Sequence, residues 1–152
     1  MRRMNANIPM NKEFKVSIKV IPHKEQRFPI TAQWSYTPEG GVDITVSRMG
    51  DVRYEMLLAL HELSEAISCT FASGMTDEET DAFDEEFLSK RRAGRLPPEL
   101  EEPGFDPRCP YGPAHHIATG TELVHCAALG VNWAEYEKRA REVSWEGKEF
   151  SF

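Results

Sequence analysis

The sequence predicts an α+β fold, an N-terminal three-stranded antiparallel sheet followed by about four helices. Before residue 48 apolar side chains alternate with polar ones, the period-two pattern of strands with one buried face. Beyond residue 51 they recur at three- and four-residue spacing, the period of helices packed along one side. With strands first, helices after and no internal repeat, the order is that of an α+β chain. At 152 residues and 40% hydrophobic, the chain suffices for one domain, 1–152. The sheet occupies 13–48 and the helical part 51–145, with tails at 1–12 and 146–152.

Phe14, Val16, Ile18 and Val20 alternate with Lys15, Ser17 and Lys19 to make the first strand. Ile30, Ala32, Trp34 and Tyr36 mark the second, and Val42, Ile44 and Val46 the third. Between the last two lies Thr37-Pro38-Glu39-Gly40-Gly41, a turn in which glycine can take positive φ, so those strands pair as a hairpin. The three together read as an antiparallel meander.

Val52, Met56, Leu60, Leu63, Ile67 and Phe71 form a helical stripe expected to cover the sheet, with Ser73-Gly74 as its stop. Thr76-Asp77-Glu78-Glu79 has the form of a capping box and starts a second helix to about Arg92, anchored by Phe83 and Phe87. Five prolines between Gly94 and Pro113 forbid a regular helix or central strand, leaving the loop 94–113. Pro113 opens a third helix that stops at Gly130. Asn132 precedes a fourth, with Val131 and Tyr136 as a hydrophobic staple.

A net charge of -7 and a pI near 5.3 argue against nucleic acid as the main partner, because phosphate binding needs clustered Lys and Arg. A basic partner or a bound cation fits better. Cys69, Cys109 and Cys126 are odd in number and widely spaced, which excludes a CxxC pair or a disulfide framework and points to a reducing cytoplasm. No apolar run reaches membrane-spanning length, so neither export nor a membrane partner is expected. Dinucleotide, P-loop and α/β-hydrolase motifs are absent.

The chemistry concentrates in His61-Glu62-Leu63-Ser64-Glu65. His61 and Glu65 are one helical turn apart and can offer an imidazole nitrogen and a carboxylate oxygen to one ion. The segment resembles the His-Glu-x-x-His motif of zinc peptidases, in which the glutamate after the first histidine activates water. It departs from that motif at Glu65, and carboxylate ligation leaves manganese, iron or magnesium open beside zinc. At about 100° per residue, His61 and Glu65 fall with Tyr54, away from the apolar stripe, and face outward or toward other helices.

His115, Thr119, Glu122 and Cys126 form a comparable polar stripe on the third helix. Two such stripes can be brought together as bundles build metal sites, with Ile117, Val124 and Ala128 packing on the other side. Asp84, between Phe83 and Phe87, is a further ligand candidate held near the interior. The cysteines read as buried structural thiols.

The His-Glu-x-x-Glu helix, Asp81-Ala82-Phe83-Asp84, Pro110-Tyr111, His115-x3-Thr119-x2-Glu122 and Gly130-Val131-Asn132-Trp133 together resemble small uncharacterised proteins encoded by bacteriophages and prophages. The likeness covers roughly residues 50 to 137. It implies a bacterial cytoplasm and the grouping of His61, Glu65, Asp84, His115 and Glu122 in one place.

Two functions are therefore expected. One is a metal-dependent, zincin-like hydrolase, with peptidase activity as the zinc-peptidase resemblance implies, using a divalent ion: zinc first, manganese or iron as alternatives. Its ligands come from His61, Glu65, His115, Glu122 and Asp84, with Glu62 as general base and Tyr54 or Glu122 orienting water or substrate. The other is a non-catalytic acidic phage protein that binds a host protein or peptide through the second helix and the proline-rich loop. Inward-facing His and Glu favour the first, a solvated patch the second.

Overall fold

The computed structural model describes residues 13–145, so the tails expected at 1–12 and 146–152 lie outside the described residues. Strands β1 (Val16–Ile21), β2 (Ala32–Tyr36) and β3 (Val42–Ser47) form one sheet, followed by helices α1 (Val52–Ser68), α2 (Asp77–Arg92), α3 (Gly112–Ala128) and α4 (Trp133–Trp145). The α+β order holds. The hairpin holds too, with Trp34 opposite Ile44 and Tyr36 opposite Val42 in an antiparallel ladder.

The meander does not. The strand order is β1-β3-β2, and β1 runs parallel to β3, Val16 opposite Val42 and Val20 opposite Val46, so the sheet is mixed. Alternation identifies a strand and its buried face but carries no information about its partner or direction. Strand order is set by the connection. Residues 22–31 contain a helical turn at His23–Glu25, and this segment reverses the chain but carries it past a tight hairpin's reach, so that β2 takes the far edge and β3 returns between β1 and β2. His23 secures the crossing, its Nδ1 2.8 Å from the Ser47 hydroxyl at the end of β3 and its Nε2 3.3 Å from the Ser144 carbonyl of α4.

Central β3 supplies the middle of the core through Val42, Ile44 and Val46, all buried. On edge strand β1, Val16 and Ile18 are exposed and Val20 packs inward. α1 lies against β2 and β3 and runs along α3, held at its start by Asp51, which accepts from the Arg53 amide at 2.9 Å. It ends in a π turn, Cys69–Ser73, followed by Gly74 at φ 64°, a left-handed stop that glycine makes without strain. Thr76 and Glu79 close the capping box of α2, and Asn132 accepts from the Glu135 amide at 3.1 Å at the start of α4.

The orientation of α1 differs from its apolar pattern. Val52, Met56, Ile67 and Phe71 of the expected core stripe are exposed, whereas His61 and Glu65 are buried together with Leu57, Leu58, Ala59 and Ala66. The same inversion occurs on α3, where Ile117 and Val124 are 58% and 68% exposed while His115 and Glu122 are buried; Ala128 is exposed as well. Periodicity weighs each helix alone. Polar groups can occupy an interior when a second helix supplies their partners, and α3 does so for α1.

No helix among the described residues is long and apolar enough to cross a membrane. The inverted orientation of α1 predicts that Val52→Ala changes stability by less than about 0.5 kcal/mol. Leu57→Ala is expected to cost about 2–5 kcal/mol. Urea unfolding of the two variants measures both, and comparable losses would contradict this orientation.

Candidate metal centre

The seam between α1 and α3 brings two histidines and a glutamate to one point. His61 Nε2 lies 3.2 Å from His115 Nδ1, His115 Nδ1 lies 3.0 Å from Glu65 Oε2, and Glu65 Oε2 lies 3.6 Å from His61 Nε2. A tetrahedral site with ligand bonds of about 2.0–2.1 Å has edges of about 3.3–3.4 Å. The triangle of donor atoms matches one face of such a site, and these three residues form a group able to hold an ion.

Each donor is steered from behind. His61 Nδ1 is 2.7 Å from Glu122 Oε2, which places the ring proton on Nδ1 and leaves Nε2 with its lone pair toward the triangle. Glu122 in turn accepts from the Tyr136 hydroxyl of α4. The Trp34 indole N–H of β2 donates to Glu65 Oε1 at 3.0 Å, which turns Oε2 toward the two imidazoles. His115 has its Nε2 buried without a hydrogen bond, 3.4 Å from Glu102 Oε2. That separation is an ion-pair distance and long for a hydrogen bond.

Burial opposes charge on both imidazoles, and carboxylates overcome it. Glu122 and Glu65 hold His61 well above its ordinary pKa, and Glu102 and Glu65 lift His115 to about 9. Burial would raise Glu65, but His115 and His61 bring it down to about 2. The geometry adds a constraint. Two imidazolium rings cannot point N–H groups at each other across 3.2 Å, so at least one facing nitrogen must offer a lone pair. A divalent ion satisfies both nitrogens at once.

The triangle borders a cavity of about 170 Å³, large enough to admit water and a small ligand group. Glu62 lines it and makes no hydrogen bond among the described residues; burial and the neighbouring Glu65 push its carboxyl up to about 8. Asp84 faces the same cavity from α2, outside the three-donor group, accepting from the Tyr111 hydroxyl. Burial pushes Asp84 up to about 7. Glu122 stands behind His61 and not in the triangle. Tyr54 does not line the cavity; it packs edge-on against Tyr136 at 5.2 Å, behind Glu122. The cysteines are all buried and unpaired with one another, and burial lifts Cys69 and Cys109 to about 12.

Glu102, Trp34 and Tyr136 are contributors that sequence reasoning passes over. Trp34 and Tyr136 read as core aromatics, and nothing in the spacing of Glu102 ties it to a helix. The turn Pro103–Phe105 folds the proline-rich loop over His115, with the Phe105 and His115 ring centroids 4.8 Å apart. Gly104 makes this possible, since a Cβ there would lie 2.2 Å from His115 Cγ.

Comparison of the chain with family models, with curated proteins and with solved structures gives no match.

Gly104→Ala must part the loop from the ring, at an expected cost of about 1–3 kcal/mol. Unfolding in urea, with the histidine signals followed by NMR, measures it; unchanged stability together with unchanged His115 signals would contradict this close approach.

Proposed function

We propose that the protein is a metal-dependent hydrolase of zincin-like design, with the ion held by His61 Nε2, His115 Nδ1 and Glu65 Oε2. The observation that carries this reading is the closed triangle of three donors, two of them, His61 and Glu65, oriented by a hydrogen bond from a separate partner. Two histidines and one glutamate are a donor set that catalytic zinc uses with one position left open for water. The same set also serves iron, and manganese accepts such ligands. A bound divalent ion supplies Lewis acidity and lowers the pKa of water at that open position.

Glu62 is the proposed general base. Its place beside His61 and on the cavity wall, with no competing hydrogen bond, suits it to take a proton from the attacking water. As the water oxygen bonds to an acyl carbon and the carbon–nitrogen bond breaks, Glu62 hands that proton to the leaving nitrogen. Glu122, Trp34 and Glu102 position the three ligands.

The inward orientation of His61, Glu65, His115 and Glu122 supports chemistry over docking. The acidic-docking alternative loses part of its motive, because Asp77 accepts from the Tyr36 amide at 2.9 Å and Glu79 closes the capping box. The resemblance of residues 50 to 137 to phage and prophage proteins supports a bacterial cytoplasm as the setting.

Protein purified without chelator is expected to carry about one zinc, manganese or iron per chain by elemental analysis, and His115→Ala to lose it. Glu62→Gln is expected to keep the ion while amide hydrolysis falls about 10²–10⁴-fold. Absence of metal from the wild-type protein would sink this reading, and a metal-loaded Glu62→Gln of full activity would leave only a structural ion.

A further inference from the structure

The cavity wall is acidic and nearly free of cations. Arg141 is the sole lysine or arginine among its described lining residues, and its guanidinium lies 3.7 Å from Glu101. Most of the acids already face a positive or ring-nitrogen partner. Glu65, Glu122 and Glu102 meet the two imidazoles, and Asp81 pairs with Arg27 at 2.5 Å.

Glu62, Asp84 and Glu137 have no ion pair among the described residues; Glu62 is the proposed base, and Asp84 is the one that α2 brings to the wall. Its hydrogen-bond partner is the neutral hydroxyl of Tyr111, and the other groups that act on it are Glu65, Asp81 and His115. No lysine or arginine reaches it among the described residues. Phe28 and Ile30 line the adjoining wall, and Phe28 packs with Phe87 of the same helix. A carboxylate in such a corner, short of a counter-cation, costs free energy that a bound cation recovers.

Resting on the metal-hydrolase reading, we infer that Asp84 is a specificity-determining residue that receives an amine or guanidinium. The substrate class is thus a neutral acyl compound, such as an amide, bearing a basic group on an aliphatic stem. The stem lies along Phe28 and Ile30 and its cationic head meets Asp84 beside Tyr111. Phosphorylated and carboxylate-bearing compounds are disfavoured, since the wall opposes a second negative charge with no free cation of its own.

The test uses the full chain reconstituted with zinc and three hydroxamic acids of equal chain length: ε-aminocaproic, caproic and adipic monohydroxamic. Hydroxamate binds an open zinc position, so the three share the zinc-binding end and a four-methylene stem and differ at the far end, which is cationic, apolar or anionic. Isothermal titration is expected to rank the amine tightest, by about tenfold or more over the neutral compound, and the carboxylate weakest. Asp84→Asn is expected to erase the advantage of the amine and leave caproic hydroxamate binding unchanged. Equal binding of all three, or preference for the carboxylate, overturns the inference while leaving the metal reading in place. Failure of all three to bind overturns both. Should Asp84→Asn not fold, the ranking on the wild-type protein decides.

Discussion

The contact on which the rest of the structure depends is the burial of His61 and Glu65 of α1 against His115 and Glu122 of α3. Taking four ionisable side chains out of water is costly unless each finds a partner. Here the partners are one another, with Trp34 and Tyr136 meeting the remaining oxygens of the two glutamates. This mutual satisfaction fixes how the two helices rotate about their axes. It also explains why Val52, Met56, Ile67, Ile117 and Val124 are left on the outside, an arrangement that apolar burial by itself would not select. The sheet and α4 then serve the seam, β2 by presenting Trp34 and α4 by presenting Tyr136.

Such a seam is strained toward a function. A buried histidine nitrogen with no hydrogen bond, a glutamate that lines a cavity unpartnered, and two ring nitrogens facing each other are each unfavourable in a scaffold. They become consistent if the site exists to hold a cation, which makes all of its negative charge useful at once. The net charge of -7 belongs to the same pattern, since an acidic protein with an acidic cavity concentrates cations and turns away anionic solutes.

Local chemistry was legible in the sequence wherever one segment decided the outcome. The Thr37–Gly41 hairpin, the Thr76 capping box, the Gly74 stop and the starts of α3 and α4 all follow from residues next to one another. The pairing of His61 and Glu65 with His115 was legible for a related reason, because helical spacing puts such side chains on a common face. Adjacency and depth were not. Val16 and Ile18 cannot state whether their strand borders β2 or β3, and the stripe from Val52 to Phe71 looks like a core face until the polar partners on α3 are known. Glu102 was hidden because its place depends on how Gly104 lets a loop settle on a ring 11 residues downstream.

The central claim is geometric, that one ion is coordinated by His61, Glu65 and His115 and by no other side chain. A crystal of the zinc-loaded protein, measured at the zinc absorption edge, tests it most directly. The account predicts one anomalous peak about 2.0–2.2 Å from His61 Nε2, His115 Nδ1 and Glu65 Oε2, with Glu122 still bonded to His61 Nδ1. A peak ligated instead by Glu62 and Asp84, or none at the seam, would contradict it.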